Sequence, residues 1–333
     1  MKKILVTGAA GFVGKNLMPI LAKEENINHV IFVDKNPIPL NIKNELEQTK
    51  LRLTAFLSNK IPVNSATEDV NAIICLAGAT SVDAALAEPR KAIDENVALA
   101  TDLAEWARLV NPSVKIIYMS SDEVLGESYV PLDENAPLKP TQPYAASKAA
   151  AEIVLHNYRD VYMLNIATIR SCNLVGAFQK RPKLIPTAVE ELMEKRPVPI
   201  QGDGNQLREW MAVEDLCRAI ILLLQNDVTP QVYQATSGVK ISVNDVAKIV
   251  AESIGVELKT IQVPDRLVQD RSYAMQAKRL NSLGWYPISD PRDAIRYSTM
   301  MLAREVFERL VFSNDLPSSL ISQSVNGEAA NGL

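Results

Sequence analysis

The sequence predicts an α/β protein: a doubly wound, mostly parallel sheet carrying a smaller α/β cap. Three observations predict it. Short apolar strands alternate with helical patterns through the first half, the signature of βαβ units. That rhythm loosens beyond Arg170 into short helices and proline-bounded segments. At 333 residues the chain also exceeds one typical core.

Strands are expected at residues 3–7, 30–33, 51–56, 72–76, 115–120 and 164–170. Helices are expected at 11–23, 94–109 and 144–159, the last two long, amphipathic and alanine-rich. The proline-rich stretch 131–143 reads as a loop leading into Tyr144. Further helices are expected at 213–224, 243–254 and 293–310. The larger domain then spans 1–172 plus about 206–236, and the smaller about 173–205 plus 237–312. Residues 313–333, rich in Ser, Asn and Gly, have little to bury and are expected to be disordered.

Composition narrows the class. Hydrophobic residues at 47% and charged residues at 22% fit a soluble globular protein. The net charge of −4 argues against a nucleic-acid partner, which needs a basic face. No apolar run reaches the ~18 residues that cross a bilayer, and no signal-peptide cleavage region follows Met1-Lys2-Lys3. Cys75, Cys172 and Cys217 lie far apart in apolar surroundings, which reads as reduced thiols in a cytoplasmic protein, with no disulfide frame and no metal site. His29 and His156 have no partner pattern and read as structural.

The first motif is strand, then Gly8-Ala9-Ala10-Gly11-Phe12-Val13-Gly14, then helix. This arrangement turns backbone N–H groups toward a pyrophosphate and marks a Rossmann-type dinucleotide fold. Gly8 permits the sharp turn, Gly11 the approach of the phosphates, and Gly14 the packing of helix on strand. Asp34 ends the second strand twenty residues past Gly14. A carboxylate there accepts both ribose hydroxyls and repels a 2′-phosphate, which favours NAD over NADP. Phe12, Val13 and Lys35 join the candidate cofactor set.

Tyr144-Ala145-Ala146-Ser147-Lys148 places a tyrosine and a lysine one helical turn apart on one face. A tyrosine titrates near ~10, too high for a base at neutral pH; an ammonium and a nicotinamide charge would each favour the phenolate. Ser121, ending the preceding strand, supplies a third polar group. Together with the glycine loop these residues fit removal of a hydroxyl proton while hydride leaves for NAD.

Here the sequence resembles the extended short-chain dehydrogenase/reductases that act on nucleotide sugars, through the glycine loop, Leu76-Ala77-Gly78, Asn96, Ser121 and Tyr144/Lys148. Within them, Ser121-Asp122-Glu123-Val124-Leu125-Gly126 resembles the acid-pair motif of the dTDP-glucose 4,6-dehydratases. Asn173, Lys183-Leu184-Ile185-Pro186, Gly202-Asp203-Gly204, Arg208-Glu209-Trp210, Asp265-Arg266, Asp270-Arg271, Tyr273-Ala274 and Leu283-Gly284-Trp285 continue it, from about Lys3 to about Val311. The resemblance implies that Tyr144 takes the O4 proton as C4 of a hexose is oxidised. It makes Glu123 the base at C5 and Asp122 the acid at O6. Water leaves and hydride returns to C6, giving a 4-keto-6-deoxy sugar, so NAD is recycled. It further implies cofactor contacts from Leu76, Ala77, Gly78, Thr80 and Asn96. For a nucleotide-diphosphate hexose it implies contacts from Thr80, Ser81, Asn173, Lys183, Leu184, Gln201, Arg208, Arg271 and Tyr273. The helices at 94–109 and 144–159 resemble the pair through which relatives form a homodimer.

Four positions depart from that pattern. Ser58 stands where an Asp near the adenine is usual, and Ser81 beside Thr80 where a histidine faces the sugar. Pro182 replaces a glutamate, and Gln201 an aromatic residue that would stack on the base. The nucleobase and the hexose, a 2-acetamido sugar included, therefore stay open. A 4-epimerase or a decarboxylase shares the loop and Tyr144/Lys148, but an epimerase has no need of two added carboxyl groups. A non-catalytic NAD-binding scaffold is the reading from another class.

Overall fold

The computed structural model describes residues 2–227 and 229–312; the tail 313–333, expected to be disordered, lies outside the described residues. The chain opens β1 (Lys2–Thr7), α1 (Phe12–Leu21), β2 (Ile27–Asp34), α2 (Leu40–Glu47), β3 (Arg52–Leu57) and β4 (Ala72–Cys75). Then come α3 (Val82–Ala87), α4 (Pro89–Val110), β5 (Lys115–Met119), a 3₁₀ turn over Asp122–Leu125, α5 (Pro143–Tyr162) and β6 (Ile166–Ser171). After β7 (Asn173–Val175), α6 (Leu184–Met193), β8 (Val198–Gln201) and β9 (Leu207–Ala212), the chain returns through α7 (Val213–Gln225) and β10 (Val232–Ala235). It ends in β11 (Lys240–Ser242), α8 (Val243–Ser253), β12 (Thr260–Val263), α9 (Lys278–Ser282) and α10 (Pro291–Phe312).

Seven strands form one parallel sheet in the order β10-β6-β5-β4-β1-β2-β3. Alternate residues of each strand feed opposite faces, as the two-residue period requires. Ile4 and Val6 pack with Leu17 and Met18 of α1 and Leu216 and Ile220 of α7. Leu5, Ile73 and Ile116 pack with Leu103 and Ala104 of α4 and Leu155 of α5. Burial on both faces is why these strands read as continuous apolar runs. The strand order reverses between β1 and β4, and in such sheets ligands bind outside the carboxyl ends of the strands at that reversal.

The smaller unit has its own core. Helices α6, α8 and α10 bury Ile185, Val189, Val246, Val250 and Ile295 against Trp210 and Ile241. Its strands pair as β11-β9-β7 and as β12-β8. α4 starts at Pro89, ahead of the expected residue 94, because proline suits the first helical position, where no N–H bond is needed. Strands β7 to β12 and helices α2, α3, α6 and α9 had no counterpart among the expected elements. The two histidines sit in packing roles, His29 against the Thr54 hydroxyl at 2.9 Å and His156 against Thr168 at 3.1 Å.

Candidate active site

A cavity of about 1220 Å³ opens at the carboxyl ends of the strands and runs into the smaller unit. Single small-molecule sites span roughly 300–1,000 Å³, so this one has room for two ligands end to end.

The glycine loop floors one end. Gly8 has φ +71°, and a Cβ there would lie 2.6 Å from the Ala77 nitrogen, so any side chain would push the loop off the end of β4. A Cβ on Gly14 would lie 2.4 Å from the Ala9 carbonyl oxygen. No side chain caps α1 at Gly11, which leaves the first N–H groups of the helix without partners inside it. Asp34 Oδ2 accepts from the Ala10 amide at 2.9 Å, fixing the carboxylate beside the loop. Phe12, Val13, Lys35, Leu76, Ala77, Gly78 and Thr80 also line the cavity. Asn96 acts from behind the wall: buried, it accepts from the Ala79 amide at 2.9 Å and donates to Ser147 Oγ at 2.8 Å, and so holds the Gly78 turn. These close approaches and open helix amides fit a dinucleotide.

At the centre, β5 ends in Ser120-Ser121 and the chain turns through Asp122–Leu125. Ser121 Oγ accepts from the Glu123 amide at 3.3 Å and donates to Asp122 Oδ1 at 3.0 Å. Asp122 is 4% exposed and its Oδ2 has no partner. Burial, then the charge of Glu123, pushes its carboxyl up to about 8. Glu123 is also raised by burial, but Lys183, Arg208 and Arg266 draw it back toward the charged form, and Gln142 Nε2 donates to its Oε2 at 2.6 Å. Only Arg208 among those cations acts on Asp122. The cations therefore favour the charged form at Glu123, and burial favours the protonated form at Asp122.

Gln142 is a residue the sequence reading passed over. Its Oε1 accepts from the Tyr144 and Ala145 amides at 2.7 and 3.2 Å, capping α5. One side chain thus ties the acid pair to the helix that carries Tyr144 and Lys148. The signal lay in Gln142-Pro143, a polar residue before a proline at the first helical position.

Lys148 Nζ donates to the Tyr118 hydroxyl at 2.8 Å and the Met119 carbonyl at 2.7 Å, and lies 4.3 Å from the Tyr118 ring centre. Burial lowers it to about 8. Its direct hydrogen bonds therefore go to β5, not to Tyr144. Burial first, then Glu123, raises the Tyr144 hydroxyl above its usual value, while the Ser121 hydroxyl favours ionisation. The protein's own groups keep this phenol protonated.

The far wall is basic. Arg208 lies 4.6 Å over the Tyr273 ring and donates to the Leu207 and Asp270 carbonyls at 2.8 Å each. Tyr273 donates to Asp270 Oδ2 at 2.6 Å. Lys183 donates across the cavity to the Thr80 carbonyl at 3.2 Å. Ser81 caps α3, accepting from the Ala84 amide at 3.2 Å, and Asn173, Leu184 and Gln201 complete this wall. Arg271 is not brought to it: its guanidinium pairs with Asp203 at 3.0 Å and Asp265 at 3.7 Å. Arg266 stands in the wall instead, held by Asp83 at 2.7 and 3.1 Å. Two Asp-Arg pairs lie five residues apart, and only the path of the chain shows which arginine faces inward.

Loop, sheet and switch point together define a Rossmann-type dinucleotide-binding protein with a second, basic site beside the first. The chain belongs to the NAD dependent epimerase/dehydratase family, whose model matches residues 4–235, and NAD is its cofactor. It is similar to the low-salt glycan biosynthesis protein Agl12 of Haloferax volcanii, 30% identical over 290 residues that cover 85% of this chain and 93% of that one. It is similar to a dTDP-glucose 4,6-dehydratase of Streptomyces niveus, 29% identical over 298 residues, covering 86% and 88%. Among solved structures it resembles DesIV, a dTDP-glucose 4,6-dehydratase of Streptomyces venezuelae with NAD and TYD bound. That match has a TM-score of 0.82 and 28% identity, covering 91% of this chain and 97% of that one.

Proposed function

We propose that the protein is a nucleotide-sugar 4,6-dehydratase, a lyase that converts a nucleotide-diphosphate hexose to its 4-keto-6-deoxy form plus water. The observation that carries this reading is the acid pair, two adjacent carboxyl groups in different surroundings: Asp122 is buried with Oδ2 unpartnered, while Glu123 accepts from Gln142 and is drawn toward its charged form by three cations. Loss of water across C5 and C6 needs a base at one atom and an acid at the other. When bound, NAD supplies the hydride acceptor at C4 and the hydride donor at C6.

Tyr144 accepts the O4 proton, and the added positive charge of the oxidised nicotinamide offsets the burial that holds its phenol protonated. Lys148, anchored on Tyr118 and Met119, sits one turn away as the second cation. The C4 ketone acidifies the C5 hydrogen, which Glu123 removes and later returns to C5 as C6 is reduced. Asp122 gives its proton to O6 as the C6–O6 bond breaks and water departs. Arg208, Lys183 and Arg266 hold the substrate diphosphate, and Asn173 adds amide contacts. We read the exposed apolar residues Ile93 and Leu109 of α4 and Ile153 and Val161 of α5 as a homodimer face.

A panel of nucleotide hexoses followed by mass spectrometry tests the reaction. Loss of one water without net consumption of NAD is expected. Interconversion at C4 with unchanged mass would show an epimerase instead, and loss of carbon dioxide from a uronic acid a decarboxylase.

A further inference from the structure

Lys15 follows the last glycine of the loop and has no part in the chemistry above. It is 7% exposed and lines the cavity. Among the described residues its ammonium makes no hydrogen bond and no ion pair within 4 Å; its close neighbour is the Phe178 ring, 5.5 Å away. The charges facing it are Lys180, which repels it, and Glu305 and Asp34, which attract it less strongly. A lysine so buried without a bonded carboxylate costs free energy that an anionic ligand would offset.

The helix gives the direction. Lys15 lies one turn after Gly11, its amide donating to the Gly11 carbonyl at 3.0 Å. Side chains on a helix lean toward its N-terminus, so Lys15 reaches back toward the open amides of Phe12 and Val13, the Gly11 amide being taken by the Gly8 carbonyl at 3.0 Å. Lys180 enters the same wall from the loop after β7. Asp34 acts on Lys15 through its charge yet makes no bond with it; its carboxylate accepts from the Ala10 and Asn36 amides.

We propose that Lys15 is a direct ligand of the NAD pyrophosphate, with Lys180 as the second arm of a two-lysine clamp closing over the helix amides. The clamp adds charge-assisted bonds to the backbone cradle and selects dinucleotides by their diphosphate. It rests on NAD as cofactor and not on the dehydratase reading, so either can fail alone.

Binding of NAD, ADP-ribose and adenosine to the NAD-free full chain tests it. ADP-ribose carries the pyrophosphate without the nicotinamide, and adenosine carries neither. Lys15→Met is expected to weaken NAD and ADP-ribose about 10-fold and leave adenosine unchanged, with Lys15→Arg within about 3-fold of the parent. Lys180→Ala, at an exposed position where folding is not at risk, is expected to weaken ADP-ribose about 3-fold and adenosine not at all. Parental ADP-ribose affinity in both Lys15→Met and Lys180→Ala overturns the clamp, as does equal loss for adenosine and ADP-ribose. A lower melting temperature with unchanged affinity would assign Lys15 to docking α10 through Glu305 and would likewise overturn it.

Discussion

Replacing Asp122 by Asn removes a carboxyl that the fold keeps protonated, and the consequence for stability has a definite sign. In the unfolded chain this group releases its proton near 3.8, whereas in the folded protein it holds it up to about 8. Between those values the folded state binds one more proton than the unfolded state. Its contribution to stability is therefore greatest below pH 3.8 and falls by ~1.4 kcal/mol per pH unit until the folded group also ionises. From about pH 6 to about pH 7.5, both above the isoelectric point near 5.5, the loss amounts to ~2 kcal/mol. Asp122→Asn lacks this titration, so its stability relative to the parent should grow by ~2 kcal/mol over that interval. Urea unfolding of both proteins at the two pH values measures the difference, with titrations remote from Asp122 cancelling between parent and variant. A constant gap across the interval would refute the protonated assignment. The same variant should lose dehydration, because an amide has no proton to give O6.

Three further expectations follow from the geometry. Glu123→Gln keeps an oxygen to accept from Gln142, so folding and NAD binding should survive while turnover falls on the order of 10²–10⁴-fold; near-normal kcat would remove Glu123 as the base. Gly8→Ala combines a φ of +71° with a Cβ 2.6 Å from the Ala77 nitrogen, and should cost roughly 1–3 kcal/mol of stability and most NAD affinity, read by calorimetry and titration. Ile153→Glu puts a charge on the exposed α4/α5 face; light scattering should show a dimer for the parent and a monomer for the variant, and a monomeric parent would dismiss the interface.

The cofactor end of this molecule is written in consecutive residues. Strand, glycine loop, helix and Asp34 are neighbours along the chain, so short-range geometry dictates their arrangement and 34 residues suffice to read it. Tyr144 and Lys148 were legible for the same reason, one turn of one helix. The centres of β1, β2 and β4 were equally plain, because both faces are covered and Ile4–Val6, Val30–Val33 and Ala72–Cys75 are unbroken apolar runs. Strand β10 was not, since a four-residue edge strand owes its existence to pairing with β6 and not to its own pattern.

The electrostatics of the site come from the fold. Which carboxyl keeps the proton depends on three cations brought from residues 183, 208 and 266 onto Glu123, and on burial of Asp122 beneath Ser121. Which arginine faces the cavity depends on Asp203 and Asp265 neutralising Arg271 and on Asp83 holding Arg266 in the wall. Lys148 lies one turn from Tyr144 on α5, but its hydrogen bonds to Tyr118 and Met119 of β5, a strand some thirty residues earlier, come from the fold. Charge and desolvation act through space over several ångströms. Spacing along the chain fixes what a helix turn or a loop presents, and folding alone sets what lies across from it.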